Sequence, residues 1–181
     1  KHPEEGINAI CVAADAISRF KVGRIDEETT SNLGFIEGGS AVNVVCPSVK
    51  IRGEARSTSL SSLDKTIDTM VQAFEQVCQA WGAELIVDHR RHYNAYEIDP
   101  NSEVVQVAQK AARNMGYDGA LRTTLGGSDA NQFNVKGVPS IVVATGMSEI
   151  HTHDEFVSRE DLIKTTELVL EIIAESVKSR A

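Results

Sequence analysis

The chain has 181 residues, of which 41% are hydrophobic and 24% are charged, and this balance excludes a disordered or collagen-like chain. The formal net charge is −8, and no basic block offsets it. A nucleic-acid or membrane surface is therefore not expected, because phosphate binding requires clustered Lys and Arg. No apolar run approaches the roughly 18 residues of a membrane span. Three widely spaced cysteines fit a reducing cytoplasm better than a disulfide framework.

The first half of the chain predicts alternating helices and strands. The predicted elements are a helix over residues 7–20, strands over 33–38 and within 41–57, a helix over 60–81, and a strand or strand pair over 84–97. Ser61 and Asp64 have the spacing of a capping box, and Gly82 stands where the long helix should stop. One additional strand ahead of the first helix would complete the ferredoxin-like β-α-β-β-α-β unit. We therefore expect a ferredoxin-like α+β domain over residues 1–98 whose first strand is missing.

The second half predicts a different arrangement, after a turn and helix start at Asp99 and Pro100. Its predicted elements are a helix over residues 101–115, a short strand near 120–125, a loop over 126–131, a buried strand over 139–144, and a helix capped by Ser158 that runs to about residue 178. This order favours the end of an α/β layered domain over residues 99–181. A half of this size buries little core alone, so we expect it to need more sheet than the chain contains.

The strongest candidate for chemistry is the segment 149–155 (EIHTHDE), which follows the predicted buried strand. Ligands in open α/β sheets bind beyond the carboxyl ends of strands. Neutral imidazole is a good zinc ligand, and a nearby carboxylate can orient it. From spacing alone, the favoured interpretation is a polar surface loop that leads into a capped helix, because such short runs of His and acidic residues often have no function.

Two further segments are weaker candidates. The loop 126–129 (GGSD) has paired glycines that allow backbone N–H groups to approach a ligand, but Ser128 or Asp129 could instead cap a short helix. His89 and His92 lie three apart, so in a strand they would point to opposite faces and would not share a metal ion. A solvated strand end is the simpler interpretation of the two histidines.

Four segments in order resemble metallopeptidase family 20, the dinuclear zinc peptidases, and within it the tripeptidase T-like enzymes. Residues 3–10 (PEEGINAI) resemble the start of the first lid helix, and Gly38-Gly39, Asn43 and 53–57 (GEARS) resemble the lid strands. Residues 125–131 (LGGSDAN) resemble the substrate loop, and residues 151–155 (HTHDE) resemble the last metal-ligand segment. The resemblance implies a lid or dimerisation domain followed by the C-terminal part of a catalytic domain.

The resemblance also implies roles by position. His151 matches a ligand of the second zinc ion, whereas His153 does not. Asn43 and Arg56 match lid residues that hold a substrate carbonyl or carboxylate, sometimes across a dimer, and an exposed strand-end charge is the alternative for Arg56. Gly127 and Ser128 match the loop that lines the substrate pocket.

The family's remaining catalytic groups have no match in this chain. The other metal ligands and the general base, which is the first Glu of a Glu-Glu pair, lie ahead of the lid in that family. Glu4 and Glu5 stand in a lid-helix context, and His2 lies too close to Asn8 to match the family's lid histidine. We therefore expect no catalytic base here and no activity from these 181 residues alone.

The first hypothesis is that the chain is part of a zinc-dependent metallopeptidase. It would hydrolyse short peptides or N-acyl amino acids with a zinc-bridged water, and manganese or cobalt could replace zinc. The resemblance implies a cytoplasmic homodimer that pairs through the lid, with the rest of the catalytic domain supplied by an upstream segment. The alternative is a non-catalytic binding or dimerisation module. A nucleic-acid-binding ferredoxin-like domain is disfavoured by the net charge and by the lack of paired strand aromatics.

Overall fold

The computed structural model describes residues 2–179 and divides into two compact units between Ala95 and Tyr96. In chain order its elements are α1 (Ala9–Ser18), β1 (Gly23–Arg24), β2 (Thr29–Gly38), β3 (Val49–Ser57), α2 (Leu60–Trp81), α3 (Glu103–Asn114), α4 (Asp129–Val135) and α5 (Arg159–Lys178), with a 3₁₀ turn over Pro3–Glu5 ahead of α1. This mixture confirms the predicted α/β class. Among residues 2–179, no helix combines the length and the apolar character that a membrane span needs.

The first unit is an antiparallel sheet in the order β1-β2-β3, with helices on one face. Gly38 pairs with Val49 at one end of the β2–β3 hairpin, and Thr29 pairs with Ser57 at the other. Along β3, Ile51 is half-buried while Arg52 and Glu54 are exposed. Because side chains alternate between the two faces of a strand, one face of the sheet is covered and the other is open.

Helices α1 and α2 pack together and form the core of this unit. Val12 and Ala16 of α1 meet Val77 and Cys78 of α2, and all four side chains are buried. Burial raises the pKa of the Cys78 thiol, and all three cysteines are free. The core is therefore held by apolar contact without a disulfide.

The long helix α2 has the predicted length but a different N-cap. Ser59, not Ser61, caps it, since the Ser59 hydroxyl accepts a hydrogen bond from the Ser62 N–H. The predicted capping box of Ser61 and Asp64 is therefore wrong. The helix ends as predicted at Gly82, whose φ of 69° lies in the left-handed region that favours glycine.

Three predicted strands do not form among the described residues. The segments 84–97, 120–125 and 139–144 have no strand assignment, and within the last one Val142 is exposed rather than covered on both faces. A strand requires backbone partners as well as apolar side chains. Nothing within residues 2–179 supplies those partners for the three segments.

The second unit is built on the packing of α3 against α5. The buried carboxylate of Glu175 on α5 lies 2.6 Å from the Lys110 ammonium of α3 and 2.5 Å from the Lys178 ammonium. These two cations lower the pKa of Glu175 to about 2. The Asn114 amide of α3 also donates to Glu171 and Glu175, so the helix pair is joined by a polar cluster.

Candidate functional site

His151 lies in a compact turn that is closed by backbone and side-chain hydrogen bonds. Ser148 and Phe156 exchange two backbone hydrogen bonds, of 2.9 and 3.2 Å, at the base of the turn. Inside it, the Glu155 carboxylate accepts a hydrogen bond of 2.6 Å from the His151 N–H. The Thr152 hydroxyl donates to the Glu149 carbonyl. The turn therefore holds the His151 backbone from both sides.

The backbone of this turn is strained at the candidate ligand. His151 has a φ of 68° and Glu149 a φ of 51°, and these are the non-glycine residues with positive φ in the described chain. Residues with side chains adopt this region at a cost of about 1 kcal/mol or more. Such strain persists only where the surrounding contacts fix it, and here those contacts include the hydrogen bond to the Glu155 carboxylate.

The turn is attached to the start of α5. The Ser158 hydroxyl accepts a hydrogen bond of 2.9 Å from the Asp161 N–H and caps the helix as predicted. Gly146, with a φ of 76°, lies against Asp161 so closely that a Cβ at Gly146 would come within 2.6 Å of the Asp161 Cβ. The Thr165 hydroxyl donates to the Thr145 carbonyl. These contacts set the direction in which the chain enters the His151 turn.

The His151 imidazole is exposed, which makes it available as a metal ligand. Within residues 2–179, however, no three His, Cys, Asp or Glu side chains are placed to hold one metal ion. His153, His89 and His92 are also exposed. Since a catalytic zinc site takes about three protein ligands, these residues offer part of a site at most.

The glycine loop forms the N-terminus of the short helix α4. Ser128 is the N-cap: its hydroxyl accepts a hydrogen bond of 3.3 Å from the Ala130 N–H, and its own N–H donates to the Asn131 side chain. The sequence left two interpretations of this loop open, and the structure shows the helix-capping arrangement. Gly126 and Gly127 ahead of it are exposed, so their backbone groups remain accessible.

Sequence reasoning missed Asn134, which ties the end of α4 to the following segment. Its amide nitrogen donates to the carbonyls of Ala130 and Ser140, both at 2.8 Å, and its amide oxygen accepts from the Ser140 N–H at 3.0 Å. Three hydrogen bonds to backbone groups position the chain that leads toward the His151 turn. No motif marks this role, although an asparagine can bond backbone in this way from any helix end.

The two candidate lid residues lie toward opposite ends of β3. Asn43 is exposed in the connection that precedes Val49, whereas Arg56 is near the end of the strand, opposite Thr30. At about 3.4 Å per residue, the Val49–Arg56 stretch alone spans roughly 24 Å. The strand itself therefore does not bring the two positions together.

The Arg56 guanidinium is paired with a neighbouring carboxylate. Its Nε and Nη2 atoms donate to the two Glu54 carboxylate oxygens, at 2.8 and 3.1 Å. This pairing raises the pKa of Arg56. The fork geometry is the one by which arginine binds any carboxylate, and in this structure Glu54 fills the Arg56 fork.

A family model, Peptidase family M20/M25/M40, matches residues 4–175. The chain belongs to this family. The M20 chain is also 41% identical over 176 residues to the uncharacterized protein YqjE of Bacillus subtilis, a match that covers 97% of this chain and 47% of that protein.

Solved structures have the same fold. The tripeptidase SAV1512 of Staphylococcus aureus matches with a TM-score of 0.84 and 38% identity, over 95% of this M20 chain and 46% of that one. The YXEP protein of Bacillus subtilis, described as a dinuclear metal-binding peptidase of the M20 family, matches with a TM-score of 0.62 and 18% identity, over 94% and 46%. The chain thus spans about half the length of these relatives.

Proposed function

We propose that this chain is part of a metal-dependent peptidase that hydrolyses short peptides or N-acyl amino acids. The observation that carries the proposal is the family match over residues 4–175, which includes the His151 turn. The similarity to a tripeptidase makes tripeptides the first substrates to test. Residues 1–98 act as the lid, and residues 99–181 contribute the substrate loop and one metal ligand.

The exposed His151 imidazole suits the metal role in its chemistry. Nitrogen ligands of this type hold zinc, and also manganese or cobalt, and a relative of the same fold is described as binding two metal ions. When bound, a pair of zinc ions would supply an activated water and polarise the scissile carbonyl. The remaining ligands and the general base come from an upstream segment, because the described residues do not complete a site.

The chain's own residues would orient one metal ligand and would bind and orient the substrate. Glu155 fixes the His151 backbone by the 2.6 Å hydrogen bond, which aims the imidazole. Gly127 and Ser128 line the substrate pocket at the start of α4. Arg56 binds a substrate carboxylate once the Glu54 carboxylate has released the Arg56 guanidinium. Asn43 serves the second active site of a homodimer paired through the lid, because it lies in the connection ahead of β3 whereas Arg56 lies near the end of that strand.

The proposal is tested by peptide hydrolysis with the full-length cytoplasmic protein and two matched histidine variants. His151→Ala should lower kcat by at least a hundredfold and reduce bound metal by about one ion per chain, because it removes a ligand. His153→Ala, two residues away and also exposed, should leave both unchanged. Full activity and full metal content in His151→Ala would reject the metal role.

A second candidate function is a non-catalytic binding or dimerisation module. The observation that favours it is the lack of a complete metal-ligand group among the described residues. The two functions differ in one simple assay. A full-length protein that binds peptides but hydrolyses none of them, with or without added zinc, manganese or cobalt, would support the binding module.

A further inference from the structure

A small cavity lies in the first unit beside the turn that joins β1 to β2. Its volume is about 210 Å³, and it is bounded by the residues that follow α1, by the turn itself and by the first half of α2. Phe20, Ile25 and Met70 form its apolar lining, and each of these side chains is half-buried. The centroid of the Phe20 ring also lies 5.9 Å from that of the Phe74 ring, so this lining is held against the helices. We call this cavity the turn pocket.

Charged side chains of both signs complete the lining of the turn pocket. Lys21 and Lys65 each contribute an ammonium group, and Asp26 contributes a carboxylate. All three residues are exposed. Within residues 2–179, none of the three takes part in an ion pair. Charges of both signs therefore surround one small cavity without neutralising each other by direct contact.

Two of the charged groups are held in place by backbone groups of the turn. The Lys21 ammonium donates a hydrogen bond of 3.2 Å to the Ile25 carbonyl, and the Asp26 carboxylate accepts one of 3.0 Å from the Glu28 N–H. Hydrogen bonds from the Thr29 side chain and from the Glu28 N–H lower the pKa of Asp26, so this carboxylate is ionised at neutral pH. An ammonium group has three donors and a carboxylate has about four lone-pair sites, so both groups can bind a further partner.

The size and the charges of the turn pocket restrict the class of its ligand. Pockets that hold drug-sized molecules measure about 300–1,000 Å³, so a cavity of about 210 Å³ suits a smaller molecule. A simple anion would meet the like charge of Asp26, and a simple amine would meet the like charges of Lys21 and Lys65. The lining therefore suits a small molecule that carries both an anion and a cation beside an apolar part.

We propose that the turn pocket binds a free α-amino acid with an apolar side chain. The ammonium group of the amino acid donates to the Asp26 carboxylate, and its carboxylate accepts from the Lys21 and Lys65 ammonium groups. Its side chain packs on Phe20 and Met70. Hydrogen bonds of this kind between charged groups are about twice as strong as neutral ones. This proposal concerns a binding site in the first unit and does not depend on peptidase activity.

Calorimetric titration of the full-length protein with leucine and two blocked analogues tests which charges are recognised. N-acetyl-leucine lacks the ammonium group, and leucinamide lacks the carboxylate. Each analogue should bind about tenfold or more weakly than leucine, because each loses a hydrogen bond between charged groups. An analogue that binds as tightly as leucine would overturn the proposal, and so would the absence of saturable leucine binding.

Matched variants of the full-length protein locate leucine binding at the turn pocket. Asp26→Asn should weaken it about tenfold or more, while the remaining amide oxygen can still accept the Glu28 N–H and keep the turn. Asp68→Asn, exposed on α2 and outside the pocket lining, should leave the affinity unchanged. Lys65→Gln and the exposed Lys50→Gln, which also lies outside the lining, form a second pair with the same expectation. Equal leucine affinities within either pair would contradict the proposal, because binding at any other site, a peptidase active site included, would not distinguish the two variants.

Discussion

The Glu155 carboxylate is the residue-scale contact on which the candidate ligand depends. It accepts a hydrogen bond of 2.6 Å from the His151 N–H, and the His151 backbone lies in the left-handed region. Glu155→Ala in the full-length protein should weaken metal binding about tenfold or more, because supporting contacts of a ligand contribute at this level. Asp154→Ala, at the adjacent exposed position, should have little effect. Metal titration of the two variants measures the difference, and equal affinities would contradict the role of Glu155.

Arg56 and Glu54 provide a second residue-scale prediction, which concerns substrate binding. If Arg56 binds a substrate carboxylate, Glu54 competes for the same fork. Glu54→Gln should then lower KM, and Arg56→Lys should raise KM about tenfold with a smaller change in kcat. Arg52→Lys, on the same exposed face of β3, is the control, because Arg52 instead lies 4.0 Å from the centroid of the Phe35 ring. An unchanged KM in both Glu54→Gln and Arg56→Lys would rule out this role.

Residue-level function was only partly predictable from the sequence. The position of His151 relative to Glu155 was visible in the motif, but the hydrogen bond between them was not. The role of Asn134 could not be predicted from the sequence. Its three hydrogen bonds to backbone groups depend on where the fold places residues 138–140. Ser128 was ambiguous because the same hydroxyl suits a helix cap and a ligand, and the roles of His151, Ser128, Asn43 and Arg56 stay predictions.

At the scale of elements, α5 depends on its N-cap. Ser158→Ala should destabilise the first turn of α5 by about 1 kcal/mol, because it leaves the Asp161 N–H without its 2.9 Å acceptor. Ser176→Ala, at a half-buried position in the last turn of the same helix, serves as the control. Native-state hydrogen exchange over residues 159–163 reports the change. Equal exchange in the two variants would show that the cap does not hold this turn.

The α3–α5 pair should respond to acid through Glu175. The pKa of Glu175 is lowered from 4.5 to about 2 by Lys110 and Lys178, so the folded state binds a proton less readily than the unfolded state. The pairing stabilises the protein above pH 4.5, and this contribution is lost as the pH falls from about 4.5 to about 2. Glu175→Gln should lower the Tm at neutral pH and flatten its acid dependence. Glu167→Gln, exposed on the same helix, should retain the acid dependence, and matching profiles for the two variants would contradict the assignment.

Helices were predictable from the sequence, and strands only in part, for a physical reason. The helices α1, α2, α3 and α5 lie within a few residues of their predicted bounds, because helical hydrogen bonds and caps are local. β2 and β3 form where predicted because each supplies the backbone hydrogen-bond partners of the other. The segments 84–97 and 139–144 have strand-like sequences, but their backbone partners are not among the described residues.

At the scale of the whole molecule, both units leave apolar surface uncovered. On α5, Val169, Leu170, Ile173 and Val177 are each about half exposed, and they share one side of the helix by their spacing. A protein rarely exposes such a stripe without a partner. This stripe is therefore available for packing against another apolar surface.

We propose that these residues contribute to a peptidase without completing it. The most direct measurement compares tripeptide hydrolysis by the purified 181-residue chain and by the full-length protein, each with and without a chelator. We expect turnover only in the full-length protein, abolished by the chelator and restored by added zinc. Chelator-sensitive hydrolysis by the 181-residue chain alone, or the absence of hydrolysis by the full-length protein in all of these metal conditions, would contradict this proposal.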